Sequence, residues 1–199
     1  MAKKVHPTAT KLMDTVSTML DSSHPHDIIV DDVLKHSGVS RSSLYHHFGD
    51  FSGLIQATLL RRFSANVAAD GQAMMAVAVS ATSKEDYWKS IRELSAYTQL
   101  PSRAPVRAER ARMISMASSD PDFQKELSKE QDRVTQVMAE AISVAQEKGW
   151  VNRALSAQAI SVFLQAYSLG RAVDDISGEK IPNEDWIFLV EKVLGSFEA

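Results

Sequence analysis

From Ser40 to His47 the chain reads Ser, Arg, Ser, Ser, Leu, Tyr, His, His. Every side chain in this run except Leu44 carries a hydrogen-bond donor, and one is a permanent cation, which is the chemistry that meets phosphate oxygens and base edges. The candidate nucleic-acid contacts are therefore Ser40, Arg41, Ser42, Ser43, Tyr45, His46 and His47. Ser42 and Ser43 are best placed against base edges, but serine discriminates bases poorly and leaves specificity to its neighbours or to DNA shape. A metal site is excluded here, because consecutive residues lie about 100° apart around a helix and His46 and His47 cannot share one ion from one face. His24 and His26 flank a proline in a loop, with no further ligand pair at metal spacing, and read as surface residues.

These donors need a rigid support, and the flanking residues supply one. Val30, Val33, Leu34 and Ser37 recur at spacings of three and four, which predicts a short helix from Val30 to Ser37. Gly38 follows where the chain must turn sharply, Val39 plugs the corner, and Ser40 can cap a second helix from Arg41 to about His47. Leu44 and Phe48 anchor that second helix. The pattern is a helix-turn-helix with its second helix turned outward. A preceding helix from Thr8 to about Ser22 (Leu12, Val16, Met19, Leu20) can close over it. Asp50 is a suitable N-cap for a fourth helix, about 51–69, that carries Leu54, Ala57 and Leu60 and connects to the remainder.

The rest of the chain stays helical, with no strand-like alternation and no internal repeat. Ser83 and Asp86 look like a capping box that opens a helix with Tyr87, Trp88, Ile91, Leu94 and Thr98. LPSRAP interrupts it, and Pro105 suits the first turn of a helix holding Met113, Ile114 and Met116. Asp120–Pro121 starts a long helix to about Lys148, closed by Gly149, with Phe123, Leu127, Val134, Met138, Ala141 and Ala145 on one face. Residues 156–177 form another helix, rich in Ile160, Phe163, Leu164, Tyr167 and Val173. Asn183 caps the last, whose seam is Trp186, Val190, Val193 and Phe197, widened by Ile187 and Leu194. The class is all-α, about nine helices in total. An N-terminal three-helix unit over 1–50 reads DNA, and a helical body over 70–199 follows. The final two helices are apolar over more than one narrow face, so either a second copy covers them across a two-fold axis or the hairpin is buried within one subunit.

Composition narrows the classes. The 199 residues carry a net charge of −3, unevenly placed: residues 1–65 hold seven Lys or Arg against six Asp or Glu, the remainder fifteen against nineteen. All six histidines fall at or before position 47 and can make that half more positive. The chain lacks cysteine, so disulfides, thiolate metal sites and cysteine nucleophiles are excluded. No apolar run is long enough to span a bilayer, and MAKKVHPTATK has no signal-peptide core, so the expectation is a cytoplasmic protein with no membrane partner. No phosphate-cradling glycine loop, metal-spaced cluster or nucleophile–base–acid order is present, so the expectation is a non-enzyme with no cofactor.

GVSRSSLYHHF, from Gly38 to Phe48, with the Val30–Ser37 helix before it and the capped helix after it, resembles the TetR/AcrR (tetracycline-repressor) family of transcriptional regulators. The layout and, more loosely, GWVNRALSAQAISVFLQAYSLGRAVDDI are similar to it as well. The resemblance implies a homodimer through the last two helices that binds a double-stranded DNA operator, usually as a repressor. Release follows when a small-molecule effector enters the helical body. It also implies phosphate contacts from Tyr45 and His46. The sequence departs from the family's pattern at three places. Phe51 stands where a phosphate-contacting lysine is usual, Leu34 where a small residue is usual, and Ile29 where Thr or Ser usually caps the second helix, followed by the acidic Asp31 and Asp32. These departures move weight onto Arg41, Tyr45, His46 and the dimer spacing.

In the body, Trp88, Tyr97, Met113, Met116, Phe123, Met138, Phe163 and Tyr167 offer an adaptable lining with a few hydroxyls, suited to an apolar or amphipathic effector. Each is also an ordinary core residue type. Arg103, Arg107 and Arg110 share one helical stripe; they could hold an anionic effector or form a solvated face paired with Glu109 and nearby carboxylates. Asp174 and Asp175 are adjacent and cannot face each other as a catalytic pair. The function expected is a ligand-responsive DNA-binding regulator, and the alternative is an all-α small-molecule- or partner-binding protein.

Overall fold

The computed structural model describes residues 6–199; residues 1–5, part of the N-terminal stretch read above for a leader, lie outside them. The chain is all-α, as its periodicity predicts. The described residues contain no strand, only an isolated antiparallel bridge between Val151 and Glu198. Nine helices of eight residues or more, a single-turn α-helix and a 3-10 turn occur among them. None of these helices is long and apolar enough to cross a membrane. The chain divides into two compact units, residues 1–65 and 66–199.

The first unit holds α1 (Pro7–Leu20), α2 (Val30–Ser37), α3 (Arg41–Phe48) and the beginning of α4 (Phe51–Ser80). Its core is made of Leu12, Val16, Val33, Leu44, Leu54 and Leu59, all fully buried, and each buried leucine contributes about 1.5–3 kcal/mol of transfer free energy. Local chemistry sets the helix ends. Gly38 closes α2 at φ 60°, with its N–H donating to the Leu34 carbonyl at 2.9 Å, a left-handed conformation that glycine adopts freely. The Ser40 Oγ accepts from the Ser43 N–H at 3.2 Å, and Asp50 Oδ1 accepts from the Gly53 N–H at 2.7 Å. Both are the caps that the sequence predicts. Two arginines fasten α4 to α1: Arg61 pairs with Asp14, and Arg62 donates to the Ser17 carbonyl and to Asp21.

The second unit contains the rest of α4, then α5 (Lys84–Thr98), a 3-10 turn (Pro101–Arg103), α6 (Ala104–Ser119), α7 (Pro121–Glu147), α8 (Ala157–Gly170), the single turn α9 (Ala172–Asp175) and α10 (Asn183–Gly195). Tyr87, Trp88, Ile91, Ala141, Ile142, Val190 and Leu194 belong to its core, and the Trp88 indole donates to the Trp150 carbonyl at 3.0 Å. Burial raises the Tyr87 phenol to about 12.

Four details differ from the sequence reading. Helix α4 continues to Ser80 rather than ending near residue 69, because Gly71 is a packing glycine and not a break: a Cβ there would sit 2.7 Å from Val137 Cγ1 on α7. The capping box at Ser83 is half formed; Ser83 Oγ accepts from the Asp86 N–H, but Asp86 Oδ2 accepts from Thr82 instead. The helix read over 156–177 tightens at Gly170–Arg171 into α8 and α9, where the Asp174 N–H reaches back only three residues, to the Arg171 carbonyl. Pro182, not Asn183, is the N-cap of α10. Proline's fixed φ brings the chain into the helix one residue early, and the buried Asn183 Oδ1 has no hydrogen-bond partner.

Candidate functional site

Two features have the chemistry of a site, one in each unit. In the first, the side chains of α3 fall into three groups by burial. Leu44 is fully buried, Arg41, Ser42, Tyr45 and His46 are exposed, and Ser43, His47 and Phe48 are half-buried. Ser40 is committed to its capping role, and its hydroxyl shares hydrogen bonds with Ser42 Oγ at 3.0 Å and Ser43 Oγ at 2.9 Å. Arg41 is not a free surface cation. Its guanidinium forms an ion pair and hydrogen bond with Asp31 on α2, and a hydrogen bond with Tyr45 followed by the charge of Asp31 raises its pKa. The acidic start of α2 thus orients the leading cation of α3. At the other end of α3, the His47 ring lies 4.9 Å from that of His6 and 5.1 Å from that of His46. Desolvation, and then the charges of those two rings, lower its pKa.

The three departures noted in the sequence take definite places. Ile29 is the N-cap of α2 and makes no side-chain capping hydrogen bond; it is 56% exposed. Asp31 and Asp32 in the first turn complement the positive end of the helix dipole instead. Phe51 begins α4 half-buried, and Leu34 is half-buried on α2.

In the second unit, side chains from α4 to α8 and α10 line a partly open cavity of about 320 Å³. Its apolar wall includes Met74, Ile91, Leu94, Val134, Met138, Leu164 and Leu194. Its polar cluster is Asp70, Arg103, Arg110 and Gln165. Arg103 Nη2 lies 3.9 Å from Asp70 Oδ2, and its guanidinium rests 5.2 Å from the Tyr97 ring centroid. Arg110 Nη2 donates to Gln165 Oε1 at 3.0 Å and to Gln131 Oε1 at 3.1 Å. Burial pushes the Asp70 carboxyl up against the opposing pull of both arginines, and burial lowers Arg110. The Tyr167 hydroxyl shares a 2.7 Å hydrogen bond with Ser95.

Of the eight body residues singled out in the sequence, Tyr97, Met138 and Tyr167 line this cavity. Trp88, Met113 and Phe123 are packed in the interior, Met116 is half-buried outside the lining, and Phe163 is 40% exposed with its ring against Tyr167 and Phe197. The arginine stripe is not a solvated face. Arg107 is 4% exposed and makes a two-pronged bond to Asp175, at 2.6 and 2.8 Å, while also donating to the Thr98 carbonyl. Arg103 and Arg110 turn into the cavity. Asp70, Asn66 and Gln165, which carry much of its polar chemistry, gave no signal in the sequence beyond their polarity.

No sequence-family model matches the chain, and no curated protein does. Solved structures match over nearly the whole length. A Rhodococcus sp. protein assigned to the TetR family of transcriptional regulators superposes with a TM-score of 0.68 at 19% identity, covering 96% of this chain and 98% of that one. A TetR-family transcriptional regulator from Pectobacterium atrosepticum gives 0.63 at 17%, covering 95% and 91%. A protein from Saccharomonospora viridis solved in complex with choline gives 0.66 at 16%, covering 96% and 97%. The fold of this chain, an α2–turn–α3 unit followed by a helical body, is therefore that of the TetR-family regulators.

Proposed function

We propose that this protein is a ligand-responsive, DNA-binding transcriptional regulator of the cytoplasm, acting as a repressor without catalytic activity. The observation that carries the reading is the outward face of α3, where Arg41, Ser42, Tyr45 and His46 are exposed on a helix anchored by Leu44. A helix so presented enters the major groove with its N-terminal residues against base edges. The likeness of fold to TetR-family regulators supports the same reading.

Operator binding is by a homodimer through α8 and α10. Val162, Phe163, Phe188 and Leu189 are 40–60% exposed on these two helices, an apolar surface that a second copy would cover across a two-fold axis. Two recognition helices then address half-sites about 34 Å apart. A ligand in the cavity releases the operator if it favours a dimer state with a different spacing, since an effector shifts an equilibrium only through unequal affinity for its two states.

The test is operator affinity of Arg41→Ala. Loss of a guanidinium contact in the groove costs about 1–3 kcal/mol, roughly 5- to 150-fold, with an unchanged circular dichroism spectrum. Equal affinity in the variant counts against α3 as the reading face. The pairing of Arg41 with Asp31 and the presence of Phe51 at the start of α4 favour a second reading, an all-α small-molecule- or partner-binding protein. That reading requires DNA binding to be absent or insensitive to salt.

A further inference from the structure

We propose that His6, His46 and His47 form one DNA-phosphate site at the end of α3 remote from Arg41, and that this site takes up a proton as it binds. The inference rests on reading α3 as the DNA-facing helix.

Two elements build the cluster. His6 is the N-cap of α1, and His46 and His47 lie in the last turn of α3. The His47 ring is the middle one, 4.9 Å from that of His6 and 5.1 Å from that of His46. His6 and His46 are exposed and His47 is half-buried, so the group opens to solvent. No set of three or more His, Asp or Glu side chains among the described residues is arranged to hold a metal ion. An imidazolium needs an anion beside it, and the carboxylates of the adjoining elements are engaged elsewhere. Asp14 of α1 pairs with Arg61, Asp31 of α2 pairs with Arg41, and Asp50 before α4 accepts from the Gly53 N–H. Lys11 of α1 adds a cation by the α2–α3 turn, 3.9 Å from where a Cβ on Gly38 would sit. His36 of α2 is turned to its own helix, its Nδ1 2.7 Å from the Asp32 carbonyl oxygen. A DNA phosphate supplies the missing negative charge, and it accepts hydrogen bonds without donating any.

The geometry also sets the number of protons. His6 Nδ1 accepts from the Thr8 N–H at 3.3 Å, so the neutral ring carries its proton on Nε2. A second proton, on Nδ1, would remove that cap and place a cation at the positive end of the α1 dipole. His46 and His47 are close enough for two imidazolium charges to repel. Desolvation, then the charges of His6 and His46, already holds His47 below the usual imidazole range. The site therefore takes one proton, which belongs to the His46–His47 pair, while His6 contributes its Nε2–H as a neutral donor.

The experiment uses the full-length protein and a random-sequence duplex of about 30 base pairs, whose phosphates are a sequence-independent probe. Calorimetry at about pH 7, in buffers of different ionisation enthalpy, is expected to show between about half and one proton taken up per bound subunit. At fixed salt, affinity should rise about tenfold from pH 8 to pH 6. The H46Q/H47Q double variant should lose the uptake and the pH dependence, whereas H24Q/H26Q, in the loop, should keep both. H6N retains a capping acceptor but shortens the donor, and should weaken binding about threefold at every pH with uptake unchanged. Circular dichroism at each pH checks that the variants stay folded. Independently of any variant, the imidazole resonances of the wild-type cluster should titrate at higher pH with the duplex than without it. Duplex binding with no proton uptake, or uptake that survives in H46Q/H47Q, would overturn the proposal while leaving the regulator reading intact. Undiminished affinity in H6N would overturn the three-histidine site. No duplex binding at any pH would overturn the proposal and the regulator reading together.

Discussion

In the free protein the Arg41 guanidinium is held by Asp31 and Tyr45, so under the proposed function a base edge or phosphate would meet an oriented donor, but one that must share its charge with a carboxylate. Asp31→Ala frees that charge. Affinity for random-sequence DNA is expected to rise, with a salt dependence steeper by about one phosphate contact, while the preference for operator over random DNA falls; salt-titrated anisotropy on both DNAs measures the two together. Arg107 is a structural counterpart, buried and clasped by Asp175. Its hydrogen bond to Asp175, aided by its charge, holds that carboxyl below the usual range. A depressed carboxyl contributes stability that is fully present above the unfolded pKa near 3.9 and is lost as pH falls through the folded value. Asp175→Asn should lower stability by about 2–3 kcal/mol at pH 7, and the gap from the wild type should close below about pH 4 in denaturant titrations. Sequence spacing placed Arg103, Arg107 and Arg110 on one stripe. It could not assign them, because the partner that buries Arg107 comes from 68 residues away.

At the level of elements, four helix starts were the most legible features. Caps at Ser40, Asp50, Ser83 and Asp120 each satisfy a backbone donor within three residues, so local sequence holds all the information needed. The glycines inside α4 were opaque for the opposite reason, since what each one meets lies beyond its own run of helical spacing. A Cβ on Gly53 would sit 2.2 Å from the Phe48 carbonyl oxygen, which cannot move without disturbing the end of α3. Gly53→Ala should therefore destabilise the protein by about 1–3 kcal/mol despite alanine's better helix propensity, seen as a lowered Tm. Gly71 meets a side chain instead. Gly71→Ala alone is strained, and Val137→Ala relieves the strain, so a double-mutant cycle should return a favourable coupling of about 1 kcal/mol. Additivity of the two changes would mean the helices do not approach each other as closely as the structure places them.

For the molecule as a whole, helical periodicity without strand alternation was enough to predict an all-α chain, and the run from Val30 to Phe48 was enough to predict its helix-turn-helix. The cavity was not readable in the same way. Its lining comes from six helices, and residues such as Asp70 and Gln165 become neighbours only after packing. The apolar excess of the last helices was visible, but its position was shifted: Val190 and Leu194 face the core, whereas Phe188 and Leu189 are exposed. Phe188→Arg is accordingly expected to yield monomers by sedimentation, with helicity retained and operator affinity reduced. The most direct test of the central claim is selection of genomic fragments on the immobilised full-length protein, wild type beside Arg41→Ala. The account predicts a recurrent two-fold sequence with half-sites about one helical turn apart, enriched by the wild type and lost with the variant. Enrichment of no common sequence, or equal enrichment by both proteins, would contradict it.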